Sequence, residues 1–202
     1  MSASGRTPTL PREERERRVL DTAAELFYAR GVHEVGMDEL VRATGLGKAT
    51  VYRLFPTKDE LVAAYLRRLR ARIMAMIDAD IARHPDPADA IRAIVAAIAE
   101  DLARPTFRGC PFNNASIEFA DPAHPARVVA CEYRQELHRR LVGLAAAVAP
   151  GQADRLGAQL ALLIDGMYVN AAHLGPEGPA ASGPALADAL LRAAATATDQ
   201  NA

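Results

Sequence analysis

An all-α fold is predicted for this chain by its composition, its apolar period and its punctuation. Half of the 202 residues are hydrophobic, yet aromatic residues make up only 5% and there is no Trp. Alanine-rich, aromatic-poor chains favour helix, because alanine has the best helix propensity and strands prefer β-branched and aromatic side chains. Apolar residues recur at i, i+3, i+4 and i+7, the spacing of one helix face. Residues that start and stop helices bracket these segments. The architecture expected is an N-terminal three-helix domain followed by a larger helical domain, within one chain of ordinary domain size.

Residues 1–10 read as a flexible arm. Pro11 suits a first helical turn, and Glu13, Glu14 and Glu16 complement the positive end of the helix dipole. Leu20, Ala23, Ala24 and Phe27 form a buried face, and Arg30 with Gly31 ends this helix. A second helix, of two turns, is predicted from Met37 to Thr44, with Leu40, Val41 and Thr44 on one face and Gly45 as its cap. A third runs from Gly47 to Phe55. Its Val51, Leu54 and Phe55 are spaced to face inward, which leaves Lys48, Ala49, Tyr52 and Arg53 outward and Thr50 at the border.

Two short one-sided helices joined by Gly45-Leu46-Gly47 make the pattern of a helix-turn-helix. The second helix of such a pair enters the major groove. Lysine can bond guanine acceptors, a threonine hydroxyl bonds either sign, and small apolar groups meet the thymine methyl. Charge agrees with an anionic partner at this end. Residues 1–72 hold 14 Lys/Arg against 10 Asp/Glu, whereas residues 73–202 hold 10 against 15. Thr57 caps the next helix, with Glu60 completing a capping box. Lys58 opposes the dipole of that helix, which a nearby phosphate would explain. The helix is long, to about Arg83, and most of its run Arg67, Arg68, Arg70 and Arg72 is read as a solvated face.

The residues Leu26-Phe27, Gly31-Val32, Leu40-Val41, Thr44-Gly45-Leu46, Thr50-Val51-Tyr52, Phe55, Lys58 and Glu60-Leu61 together resemble the DNA-binding domain of the tetracycline-repressor (TetR) family of bacterial regulators. The resemblance covers about residues 12–62. This chain departs from the family pattern at Val35, Gly36, Gly47, Ala49 and Leu54. The resemblance implies DNA contacts from Met37, Gly47, Lys48, Ala49, Thr50, Tyr52, Arg53 and Lys58. It divides the chain into a DNA-binding domain at 11–56, a connecting helix at 57–83, and an effector-binding and dimerisation domain at 84–202.

The second half reads as helices throughout. His84-Pro85-Asp86-Pro87 is a break, and Ala88 to Ala103 a helix with Ile91, Ile94, Val95 and Ile98 on one face. A short helix is expected from Asn113 to Phe119, a longer one from Asp121-Pro122 to about Val148, and another from Ala153 to Leu174. The last spans Ala185 to about Ala197, and the residues after it read as a frayed tail. The 153–174 helix is apolar nearly all round, which means burial on several sides. One large monomeric core would satisfy that. The family's four-helix interface between subunits would too, and by that resemblance Leu160, Leu163, Met167, Leu186 and Leu190 face a partner.

Phe107, Cys110, Phe112, Asn113, Asn114, Ile117 and Phe119 gather aromatic residues and two amides in one stretch. A mostly apolar pocket with a few polar anchors is how a small-molecule site looks. A hydrophobic plug under a loop, with Asn113 as a helix cap, fits the same pattern. Met167, Tyr168 and His173 are a second candidate face. Asp165 and His173, eight positions apart, suit either a ligand anchor or a hydrogen bond between subunits. Cys110 reads as a buried, inert thiol, with a redox role as the alternative if it lies near Arg108.

Catalytic signals are poor: there is no GxSxG, HExxH or glycine-rich phosphate loop. No cofactor and no metal site is expected. His124, Glu132 and His138 lack a convincing ligand spacing, and His124 reads as a cap or loop residue near Pro122–Pro125. No apolar run approaches the roughly 20 residues needed to cross a bilayer, and residues 1–18 have no apolar core of a signal peptide. Cys110 and Cys131 lack CxxC or zinc spacing, which suits a reducing cytoplasm. The function expected is a dimeric one-component transcription regulator, a repressor by the family default, that binds a pseudopalindromic double-stranded operator and is released by a small molecule. The alternatives are a ligand-independent, nucleoid-associated DNA-binding protein and, without catalytic motifs, a helical enzyme.

Overall fold

The structure is a computed structural model, described for residues 10–199. Residues 1–9 of the predicted arm and 200–202 of the predicted tail lie outside the described residues. The chain forms two compact units, up to Tyr65 and from Leu66 onward. The division falls inside the long fourth helix, beyond the expected boundary at residue 56. Among the described residues there are helices and turns and no strand.

In the first unit α1 spans Arg12–Arg30, α2 Met37–Thr44 and α3 Lys48–Leu54, and α4 begins at Lys58 and ends at Arg83. Glu13 and Glu14 lie in the first turn of α1, Arg30 in its last, and Gly31 ends it at a φ of 90°. Val19, Ala23, Leu40, Val51 and Leu61 are completely buried, beside Phe27, Val32, Val35 and Phe55. Phe27 and Tyr65 meet as tilted rings with centroids 6.0 Å apart. Each such buried Val, Leu or Phe side chain contributes on the order of 1.5–3 kcal/mol. The inward positions read from the sequence are therefore the core, except that Ala24, Val41 and Leu54 are only half-buried. The predicted capping box forms: the Thr57 N–H donates to Glu60 Oε2 at 3.3 Å, and the Glu60 N–H donates to Thr57 Oγ1 at 3.1 Å.

The second unit adds α5 (Pro87–Leu102), α6 (Pro111–Glu118), α7 (Pro125–Val148), α8 (Ala153–Leu174) and α9 (Gly183–Asp199) to the remainder of α4. A 3-10 turn at Pro150–Gln152 joins α7 to α8, and these two helices form the centre against which α5, α6 and α9 pack. Proline stands in the first turn of α5, α6 and α7, where its missing N–H costs nothing. Three predicted starts are displaced by two residues or more, α9 beginning at Gly183 rather than Ala185. The short helix begins at Pro111 rather than Asn113, and α7 begins at Pro125 rather than Asp121. Asp121 instead makes a turn, accepting from the Ala123 N–H through its side chain at 2.9 Å, and His124 caps α7 by accepting from the Ala126 N–H at 3.2 Å. Arg127 closes the α6–α7 corner by donating to the carbonyls of Ser116, Phe119 and Ala120 at 3.1–3.2 Å.

Within this unit Arg70 departs from the solvated face expected for it. It bridges Glu132 and Glu136 of α7, the latter at 2.9 Å. Arg140 of α7 bonds Glu136 at 2.9 Å and holds Asp78 of α4 at 2.8 and 3.0 Å.

Candidate nucleic-acid interface

The helix-turn-helix is built around a buried hydroxyl. Thr44, at the end of α2, is completely buried. Its Oγ1 donates to the Val41 carbonyl at 2.8 Å and accepts from the Leu46 N–H at 3.2 Å. The side chain thus satisfies an orphan carbonyl at the end of α2 and an N–H in the turn. Gly45 between them takes a φ of 65°, which other residues adopt only with strain. The Arg18 guanidinium lies against this turn, 3.3 Å from where a Gly45 β-carbon would stand. Arg30 ties α1 to α2 by pairing with Glu39, and it donates to the Glu34 carbonyl at 3.3 Å.

Gly47 is the residue before α3, with a φ of −63°. Val51 and Phe55 anchor α3 inward. Lys48, Ala49 and Arg53 are exposed, Thr50 and Tyr52 half-buried. Met37 and Lys58, the first residues of α2 and α4, are also half-buried. Lys48 Nζ bonds Asp38 Oδ1 at 2.7 Å and lies 5.7 Å from the centroid of the Tyr52 ring. The hydrogen bond and charge of Lys48 hold the Asp38 carboxyl below its ordinary range, and Asp38 raises the lysine in return. This short helix therefore offers a cation, two hydroxyls, a methyl and a guanidinium to solvent, a set that can contact base edges and phosphates.

The predicted effector residues separate into two groups. Phe112 stacks on Tyr133, centroids 3.8 Å apart and planes 8° from parallel, and Phe107 tilts against Tyr168 at 6.0 Å. Arg134 lies beside them, pairing with Asp165 and donating to Asn113 Oδ1 at 2.5 Å. Asn113 is accordingly a cross-helix partner and not a helix cap. Asn114 donates to the Arg108 carbonyl at 3.2 Å. Cys110 is buried, and loss of hydration pushes its thiol upward, which favours the inert form. Burial likewise pushes the Tyr133 phenol up.

The rest of the candidate stretch lies elsewhere. Ile117 is 81% exposed, while Phe119 stacks on His124 at 3.8 Å. His173 is exposed, its Nδ1 2.8 Å from the Val169 carbonyl, so Asp165 and His173 have separate partners.

The residues expected at the subunit interface fall into two groups in the single chain. Leu160 is completely buried in the chain's own core. Met167, 2% exposed, is likewise core and forms the floor of a groove of about 420 Å³ between α8 and α9. Leu162, Leu163, Leu186 and Leu190 line the groove, and Leu162 is 72% exposed.

Residues 19–65 match the model of the bacterial regulatory proteins of the tetR family. The crystal structure of SCO4454, a TetR-family transcriptional regulator from Streptomyces coelicolor, is 33% identical and covers 91% of this chain and 97% of its own, with a TM-score of 0.86. The transcriptional activator FasR of Mycolicibacterium smegmatis is 44% identical over 59 residues, 29% of this chain. In that match the chain spans only 27% of FasR's length. The transcriptional repressor Rv3405c of Mycobacterium tuberculosis is 28% identical over 130 residues, 64% of this chain and 66% of its own length.

The chain belongs to the TetR family of transcriptional regulators. TetR-family regulators are DNA-binding proteins and not enzymes. As a TetR-family protein it keeps the helix-turn-helix with glycine at both Gly36 and Gly47, the residues before α2 and α3, and neither makes a side-chain cap. Sequence reasoning placed Thr44 on an apolar face and missed its role in the turn. A threonine followed by glycine at a helix end was the available signal. It missed Asp38 as well, since a partner ten residues away leaves no local pattern. Among the described residues, no helix is long and apolar enough to cross a membrane.

Proposed function

We propose that this TetR-family protein is a cytoplasmic, dimeric repressor that occupies a pseudopalindromic operator and leaves it when a small molecule binds residues 84–202. The observation that carries the reading is the α2–α3 arrangement. Val51 and Phe55 hold α3 from within while Lys48, Ala49, Thr50, Tyr52 and Arg53 are left for the groove. Repression is supported by the match to Rv3405c, named a repressor, which extends well past the DNA-binding helices. Dimerisation is supported by the apolar face of Leu162, Leu163, Leu186 and Leu190 along α8 and α9, which a lone chain leaves partly in water. Effector binding is supported by the polar group Arg134, Asp165 and Asn113 beside two aromatic pairs. Residues 57–83 would carry the response, since α4 starts at the capping box and its later turns are ion-paired to α7.

The test is selection of duplexes from a random pool by the purified protein. The expected product is an inverted repeat with half-site centres about one helical turn apart. Recovery of no repeat, or of a single half-site, overturns the dimeric operator reading. Release is then tested by screening metabolites for loss of that duplex. Phe112→Ala and Asn113→Ala should bind DNA normally and lose the response.

A further inference from the structure

Tyr133 of α7 is 4% exposed and its ring is stacked on Phe112, yet its hydroxyl makes no hydrogen bond among the described residues. A buried tyrosine hydroxyl normally finds a partner. The oxygen is not sealed by protein either: among the described residues, the buried side-chain atom that lacks both a partner and access to solvent is Arg15 Nε. Tyr133 therefore keeps one unused polar group within reach of a small molecule, on a side chain that is otherwise enclosed. Arg134, Asp165, Asp101 and the Cys110 thiol all act on the phenol electrostatically, so polar groups from α5, α7, α8 and the start of α6 surround it. The charges among them are already matched. Asp165 pairs with Arg134, which also donates to Asn113 Oδ1 at 2.5 Å, and Asp101 pairs with Arg104. Burial keeps the phenol protonated, so what it lacks is an acceptor.

We propose that the Tyr133 hydroxyl is the hydrogen-bond anchor of the effector site, and that the effector is an uncharged molecule presenting a carbonyl-type oxygen to it. This rests on the reading of the cluster around Arg134, Asp165 and Asn113 as the effector site. An anion or a cation brought here would add an unmatched charge or break a pair that is already made, and either is costly away from water. A neutral acceptor does neither. It takes the one donor left over and leaves both ion pairs closed. The aromatic pairs Phe112–Tyr133 and Phe107–Tyr168 supply apolar surface for the remainder of the molecule. A compound of the same shape without the oxygen would bury the hydroxyl with nothing to bond, so the anchor also discriminates.

The experiment uses the full chain and four probes of similar shape: acetophenone, benzoate, benzylammonium and ethylbenzene. Titrations followed by the backbone amide resonances of α6 report both the affinity of each probe and whether it sits in this cluster. Acetophenone should bind there most tightly of the four. Tyr133→Phe keeps the ring and its stack on Phe112, and should weaken acetophenone by roughly 2- to 13-fold while leaving ethylbenzene unchanged. Infrared difference spectra should show the acetophenone carbonyl stretch lowered in the wild type and restored in Tyr133→Phe, a signature that a purely structural role would not produce. Without probe, Tyr133→Phe should melt no lower than the wild type, because no hydrogen bond is lost. A clear drop in its melting temperature overturns the proposal by giving the hydroxyl a partner within the protein. An unmoved affinity and carbonyl stretch overturn it too, as does tighter binding of benzoate or benzylammonium at α6. In those cases the site reading stands without the proposal. If none of the four probes moves the α6 resonances, the site reading falls with it.

Discussion

Gly157 of α8 lies so close to Val142 of α7 that a β-carbon on the glycine would stand 2.5 Å from Val142 Cγ2 and 2.9 Å from its Cα. The two central helices of the second unit touch backbone to side chain at this point. Gly157→Ala must push them apart, and overpacking of this kind costs about 1–3 kcal/mol. Gly143 of α7 has nothing within 4 Å of the same construction. Gly143→Ala should stabilise by roughly 0.5–1 kcal/mol through helix propensity alone. Thermal melts of the two variants should move in opposite directions, and a neutral Gly157→Ala would contradict the close approach.

Thr44 offers a test of the turn. Thr44→Val keeps the shape and removes the hydroxyl, leaving the Leu46 N–H without its acceptor. An unsatisfied buried donor costs about 1–3 kcal/mol. Thr44→Ser keeps the bond and should restore most of that loss. Urea denaturation followed by circular dichroism separates the two, and equal stability of Val and Ser would remove the hydroxyl from the account.

The reader helix makes a different prediction for each type of contact. Lys48→Ala and Tyr52→Ala should each lose roughly 1–3 kcal/mol on the selected duplex, if each makes a good base contact, and should relax the preference at the bases they touch. Lys58→Ala, at the start of α4, should weaken all sequences alike and lower the salt slope by about one per subunit. Anisotropy titrations with single-base variants of the duplex distinguish these patterns.

Assembly is tested on the α8–α9 face. A charge at Leu186, 48% exposed, or at Leu163, which lines the groove, should give folded monomers that bind the selected duplex far more weakly. Loss of the partner forfeits the second half-site. Leu160→Glu should instead unfold the chain, because that side chain is fully buried. Sedimentation equilibrium with circular dichroism reads both, and a stable dimer for Leu186→Glu would move the interface elsewhere.

The sequence by itself determined the helices and the helix-turn-helix, because the forces that write them act within three or four residues. Thr57 and Glu60 form their box across one turn, and Gly31 and Gly45 end helices through their own backbone conformation. Val51 and Phe55 fall on one face by spacing alone. Tertiary structure decided which polar groups meet: Asp38 with Lys48, Arg134 with Asp165 and Asn113, Arg70 with Glu132. These partners lie 10 to 62 positions apart, so their meeting depends on how helices pack and not on any local pattern. Tertiary structure also separated Leu160, completely buried, from Leu162, 72% exposed. A helix that is apolar nearly all round carries no polar stripe to orient it, and its inner side is set only by the neighbours that cover it.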